Sequence, residues 1–203
     1  MKYIYLIISY APLVLAEGAL VGTPSYSGSG CPAGAVSSTL SPDASALSVL
    51  FDGYSVAAGD AAKTDQKCCN ISIPVTVPAG YRVSLIGMDY RGFNNLPDGA
   101  QSTFSVTYSF GSSNTTPYVQ TTSGPVQGDF LLHHTLDLGG MIFSDCGTNI
   151  VFKISNSISI TTNIAGDPAM TSIDSADVSA NHPGGTQGQV FYLQWDTCNP
   201  GQL

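Results

Sequence analysis

The sequence predicts an all-β protein, a single antiparallel β-sandwich of about ten strands held by disulfides, and three observations carry that reading. Apolar residues recur at every second position in several segments, the period of a strand with one buried face. Turn signals such as Asp52-Gly53, Pro78-Ala79-Gly80 and Pro97-Asp98-Gly99 separate those segments. Of the 14 acidic residues only Glu17 is a glutamate, and Lys+Arg number 6, whereas a helical chain draws heavily on glutamate and lysine.

Taken in order, Lys2 precedes the apolar run Tyr3 to Leu15, with Val14 and Ala16 as small residues at a cut, so residues 1–16 read as a signal peptide and residues 17–203 as the secreted sandwich. No later stretch is long enough to span a bilayer as a helix, and no membrane role is expected. Leu47, Val49 and Phe51 alternate ahead of Asp52-Gly53. Cys69, Ile71, Ile73, Val75 and Val77 share one parity, and beyond Pro78-Ala79-Gly80 the alternation resumes at Tyr81, Val83 and Leu85, which predicts a hairpin. Phe104, Val106, Tyr108 and Phe110 form a further strand, and Ile150 to Ile160 another whose stripe is broken at Asn156, where a bulge is expected. Phe191, Leu193 and Trp195 give a last inward-facing strand, and shorter pieces lie near Tyr26, Val36, Tyr118 and Phe130.

Removing 16 residues from the 203 leaves 187, enough for one large β domain, and the loss of Lys2 takes the formal charge from −8 to −9. A surface of that sign with scattered cations repels phosphate backbones, so nucleic acid is excluded as a partner. In a secretory chain, four of the five cysteines are expected to pair. Parity turns Cys69 inward and Cys68 outward, which makes Cys68 the free or intermolecular thiol. Three pairings of Cys31, Cys69, Cys146 and Cys198 remain open. Asn70-Ile71-Ser72 and Asn114-Thr115-Thr116 are glycosylation acceptors, the second in a polar loop read from Gly111 to Pro117.

The ordered series Ser27-Gly28-Ser29-Gly30-Cys31-Pro32-Ala33-Gly34, Leu40-Ser41-Pro42-Asp43, the Cys69 strand with Pro78-Ala79-Gly80-Tyr81, Asp89-Tyr90-Arg91-Gly92-Phe93, Cys146-Gly147 and Tyr192-Leu193-Gln194-Trp195-Asp196-Thr197-Cys198 resembles the family catalogued as domain of unknown function 4360. The resemblance runs from about Tyr26 to Cys198, nearly the whole mature chain. It implies a small extracellular β-rich protein of the kind found mostly in filamentous fungi, with framework cysteines matched here by Cys31, Cys69, Cys146 and Cys198 and with no established catalytic residues. Cys68 departs from the family pattern. Sequential pairing, Cys31 with Cys69 and Cys146 with Cys198, is expected because each pair then lies within one half of the chain.

Catalytic signatures are sparse. No GxSxG elbow occurs, and the one mature glutamate sits at the N-terminus, far from the paired carboxylates of most glycosidases. His133 and His134 are the best candidates for base or metal chemistry, with His182 the remaining histidine, but neighbours on a strand face opposite ways and read as ordinary strand or loop histidines. Asp174-Ser175-Ala176-Asp177 lacks the alternating ligands of a calcium loop and reads as a capped turn. No metal or cofactor is expected. Trp195 reads as core beside Cys198. Tyr90, Arg91 and Phe93 form a candidate recognition patch on a loop; the plainer alternative is an Asp89–Arg91 pair on a strand face with the aromatics beneath it.

These readings favour a secreted, non-catalytic interaction protein, effector-like, that binds or inhibits an extracellular protein such as a hydrolase. A module for cell-wall glycan is the alternative, and an aspartate-dependent hydrolase a further one. N-terminal sequencing of the secreted protein is expected to begin at Glu17; a chain that begins at Met1 overturns the compartment and the cysteine pairing that follows from it.

Overall fold

A computed structural model describes residues 20–41, 45–110, 114–136, 142–173 and 189–198; residues 1–16, Asp174 to Asp177 and His182 lie outside this set. The described residues form fourteen strands and no helix: β1 (Leu20–Val21), β2 (Ser25–Ser27), β3 (Val36–Leu40), β4 (Ala46–Phe51), β5 (Ser55–Ala58), β6 (Thr64–Thr76), β7 (Tyr81–Leu96), β8 (Gln101–Phe110), β9 (Asn114–Ser123), β10 (Val126–Thr135), β11 (Ile142–Phe143), β12 (Ile150–Thr161), β13 (Ala169–Ile173) and β14 (Gln189–Thr197). The excess over the expected ten comes from short pieces such as β1, β5, β11 and β13, too brief to show a period.

All pairings are antiparallel, in two packed sheets. One has six strands in the order β1-β6-β12-β8-β9, with β2 also on β6; the other has eight in the order β3-β4-β14-β7-β13-β5, with β10 and β11 on the opposite edge of β7. Inward residues of β6, β8 and β12 (Ile71, Ile73, Val106, Tyr108, Phe152, Ile154) meet those of β4, β7 and β14 (Val49, Val83, Leu85, Tyr90, Phe191) in one core. Trp195 is half-buried against it.

The segment around Pro78 is not a hairpin. Tyr81 N donates to Pro78 O at 3.1 Å, closing a tight turn, but β6 pairs with β12 and β7 with β14 and β10. The turn carries the chain from one sheet to the other, so the two apolar faces stack across the core rather than lie side by side. A one-sided stripe is compatible with either arrangement, since both bury the same residues.

Nor is there a bulge at Asn156. β12 keeps an unbroken register with both β6 and β8, and Asn156, 2% exposed, points inward with the isoleucines. Its Oδ1 accepts a hydrogen bond from the buried Tyr54 hydroxyl at 2.8 Å. A polar side chain at a core position is tolerated because a partner from the opposite sheet satisfies it. Gly30 leaves the space that Tyr54 fills, as a Cβ there would lie 2.1 Å from the tyrosine ring.

The true irregularity lies in β7. Between Tyr192–Gly87 and Leu193–Leu85 the register with β14 shifts, leaving Ile86 as the extra residue. Upstream of it Val83 and Leu85 face the core; downstream Met88 and Tyr90 do. One inserted residue reverses the parity of the remaining strand.

Cys31 is joined to Cys69 and Cys146 to Cys198, closing sequence separations of 38 and 52 residues. In the chain-entropy account each contributes roughly 4 kcal/mol by restricting the unfolded state. The second bridge lies where Cys198 N donates to Gly80 O and Gly147 N to Tyr81 O, so it ties both segments to the Pro78 turn.

Replacing Tyr54 by Phe keeps the ring and removes the hydroxyl that serves Asn156. The expected cost is about 1–2 kcal/mol, seen as a fall of roughly 3–8 °C in the melting temperature. An unchanged melt would show that the cross-sheet hydrogen bond does not hold Asn156 in the core.

Candidate functional site

The bulge at Ile86 decides where the sequence-predicted patch goes. Tyr90, Arg91 and Phe93 lie inside the 16-residue strand β7, not on a loop. Tyr90 is wholly buried, its ring 4.5 Å from that of Phe104, and its hydroxyl has no hydrogen-bond partner among the described residues. Burial pushes that phenol well above its ordinary value, with Tyr108 and Tyr118 adding to the shift. Tyr90 therefore cannot meet a partner. Arg91 and Phe93, one parity away, face outward and are half-buried.

On that outer face Asp89 is the centre of a hydrogen-bonded frame. Its Oδ1 bonds His133 Nδ1, and its Oδ2 accepts from the Tyr192 hydroxyl at 2.8 Å. His133 Nε2 is 2.9 Å from Thr135 Oγ1. The register explains the gathering: His133 lies opposite Asp89 and Thr135 opposite Gly87 on β10, while Tyr192 lies opposite Gly87 on β14. The Tyr192 phenol is raised by burial first and then by its bond to Asp89, and Arg91 pulls it the other way. The expected Asp89–Arg91 pair does not form, because both carboxylate oxygens are taken by neighbouring strands. Arg91 makes no hydrogen bond or ion pair among the described residues.

Carboxylate, imidazole and hydroxyl in sequence make the order of a nucleophile relay. Here the relay lies on an open sheet face. Backbone N–H groups of β7 and β10 are engaged in the sheet between the two strands. What the frame does provide is rigidity, with three strands cross-linked by side chains around Arg91.

The two sheets differ in what they show to solvent. The outer face of the six-stranded sheet carries Ser155, Ser157 and Ser159 on β12 beside Thr103, Ser105 and Thr107 on β8, with Lys153 as a lone charge in those rows and Val119 on β9 and Val151 on β12 as its exposed apolar side chains. The eight-stranded sheet shows Leu131, 55% exposed and opposite Arg91, and Met170, 37% exposed on β13. With Arg91, Phe93 and Tyr192 these make a mixed apolar and polar surface.

His134, the other member of the histidine pair, points inward. Its Nδ1 is 3.0 Å from the Tyr108 hydroxyl and its ring stacks on Tyr118 at 4.4 Å. Cys68 is a free, exposed thiol on β6. Asn70, also exposed on β6, has its Oδ1 bonded by Ser155 Oγ at 2.6 Å. Asn114 is the first residue of β9, so the loop read from Gly111 to Pro117 ends before it, and residues 111–113 lie outside the described set.

Sequence reasoning missed Asp89, His133, Thr135 and Tyr192 as one cluster because they come from three strands. A signal for the bulge is present in hindsight: the apolar phase changes between Leu85 and Met88 across Gly87, and glycine within a strand marks bulges.

The family model described as Domain of unknown function (DUF4360) matches residues 19–198. An uncharacterized secreted protein of Arthroderma benhamiae is 30% identical over 176 residues, which cover 85% of this chain and 69% of that protein. Among solved structures, TmCBM61 in complex with beta-1,4-galactotriose is 16% identical, covering 85% of this chain and 88% of that one with a TM-score of 0.26, too low to support any inference from its arrangement. With two disulfides and a secreted relative, the protein is an extracellular one.

Glycopeptide mapping of the secreted protein is expected to find Asn114 more fully occupied than Asn70. Asn70 lies within a strand paired on both sides, next to a bridged cysteine, and its amide is already held by Ser155. Occupancies in the reverse order would contradict this.

Proposed function

The chain belongs to the DUF4360 family, and from the outer face built around β7 we propose that it is a secreted, non-catalytic protein that binds an extracellular protein, as an effector engaging or inhibiting a hydrolase would. The observation that carries this reading is the grouping of Arg91, Phe93, Leu131, Tyr192 and Met170 on one sheet face, whereas the other sheet shows mainly hydroxyl-bearing side chains with Val119 and Val151 as separate exposed apolar residues. Arginine, aromatic and methionine side chains are the types enriched in interfaces, and arginine and aromatic ones dominate their energy.

The frame around Asp89 supports the same reading. Side chains already held by hydrogen bonds lose less freedom on association, so more of the contact energy appears as affinity. Arg91, with no hydrogen bond or ion pair among the described residues, suits a surface that offers carboxylates or backbone carbonyls. Asp89 is half-buried and committed to His133 and Tyr192, so it does not compete for the guanidinium.

Affinity purification from co-culture fluid supplies the partner, and Arg91→Ala then tests the face. The expected outcome is an unchanged melting temperature with binding weakened by about 2 kcal/mol, roughly 30-fold in Kd. A lowered melt accompanying the loss assigns Arg91 to stability, and no change in either quantity removes this face. Capture by insoluble chitin or glucan with no protein partner would replace the reading by a wall-polysaccharide one, and turnover abolished by Asp89→Asn by a hydrolytic one.

A further inference from the structure

We infer that the turn Asn163–Gly166, between β12 and β13, is an anchor for a protein partner: Ile164 enters an apolar pocket of that partner whose rim carries lysine or arginine. This deepens the protein-binding reading and rests on it, adding a second contact point and the chemistry of the surface it meets.

Ile164 is 100% exposed, whereas the next most exposed large apolar side chain, Val119, is 61% exposed and so rests partly on its neighbours. It holds the second position of a turn, a place filled mainly by Gly, Pro, Asn, Asp and Ser, so turn formation does not call for an isoleucine. A single apolar residue on a surface is ordinary. What sets this one apart is how firmly its turn is held.

Asn163 is the fastening. Its Oδ1 accepts from Gly166 N at 3.0 Å and Asp167 N at 3.1 Å, and its Nδ2 donates to Asp98 O at 2.8 Å and Asp167 Oδ2 at 2.9 Å, which uses both donors and both lone pairs of the amide. Gly166 N also donates to the Asn163 carbonyl at 3.0 Å and closes the turn. Two neighbouring turns are tied in. Asp98 lies in the one closed by Ala100 N on Pro97 O, and Lys63 follows the one closed by Gly59 N on Ala62 O. The Lys63 carbonyl accepts from Thr162 N at 2.9 Å, and its Nζ donates to Ile164 O at 3.4 Å. Gly166 lets these turns stack, since its φ is +82° and a Cβ there would lie 2.1 Å from Lys63 Nζ and 2.2 Å from Asp60 Oδ1. The backbone that presents Ile164 is thus set before any encounter, and little freedom is lost on association.

Charge defines the rim of the pocket. Asp60, Asp98 and Asp167 are exposed on these three turns against one ammonium, that of Lys63, on a chain whose net charge is −8. A rim of lysine or arginine is drawn to those carboxylates, and an acidic one is repelled. Removal of a fully exposed isoleucine from water supplies affinity that no half-buried side chain of the same size can match. Met170, six positions along the chain, belongs to the Arg91 face, so a single partner of ordinary size covers both contacts.

The test passes co-culture fluid over the immobilised parent, Ile164→Asp, Ile164→Leu and Arg91→Ala, quantifies each retained protein by mass spectrometry, and then measures the purified one against every variant. Both Ile164 variants are expected to melt as the parent does, because the side chain they change is fully exposed. A protein retained by the parent is expected to bind Ile164→Asp about 30-fold more weakly and Ile164→Leu within about threefold of the parent. Asp98→Asn keeps the carbonyl that Asn163 uses and removes one carboxylate, and is expected to slow association several-fold at low salt and little at high salt. A partner weakened by Arg91→Ala but not by Ile164→Asp overturns this inference and leaves the Arg91 face standing. One weakened by Ile164→Asp alone supports the turn and removes that face, and the retention of no protein at all overturns both. Association unchanged by Asp98→Asn at low salt overturns the basic rim.

Discussion

Two long strands that bury their apolar faces against each other across the core, joined by the short Pro78 turn, anchor this fold. β6 and β7 run from Thr64 to Leu96 with only Thr76 to Tyr81 spanning the gap, and they end in different sheets. β6 then recruits β1, β2 and β12, and β7 recruits β10, β11, β13 and β14. Burial of Ile71, Ile73 and Val75 against the β7 side supplies a driving force of the order of 2 kcal/mol per side chain, more than a surface ion pair such as Lys63–Asp60 contributes. The Cys146–Cys198 bridge closes over the same turn, so the two ends of the sandwich's second half are held where the chain changes sheet.

Within that frame the bulge at Ile86 decides which side chains of β7 face solvent. Without it the parity of Val83 and Leu85 would carry on, turning Asp89, Arg91 and Phe93 into the core and Tyr90 out to solvent. With it, a carboxylate, a guanidinium and an aromatic ring share one outer face, and a tyrosine is left in the core with an unbonded hydroxyl. The bulge thus exchanges one unsatisfied phenol for the avoidance of two buried charges, the better arrangement by several kcal/mol on general grounds. Asp89, His133, Thr135 and Tyr192 then lock the face from three strands, while on the inner side of the same strand Asn94 is oriented by hydroxyls from β8 and β13.

Much of this was legible beforehand. Apolar alternation at Leu47, Ile71, Val106 and Ile154 located the main strands, glutamate scarcity and turn signals excluded helices, and the parity of Cys69 against Cys68 identified the thiol that faces the core, because period and composition are local properties of the chain. Tertiary structure alone decided which sheet each strand joined, since a strand's inward face has the same pattern whether its neighbour in sequence lies beside it or across the core. It also decided that Asn156 could stay inside, which depends on a hydroxyl brought from Tyr54, and that Tyr90 would be core while Arg91 would not, which depends on a single residue left unpaired against β14. Partners supplied by distant strands, and the register between them, leave no trace in a local period.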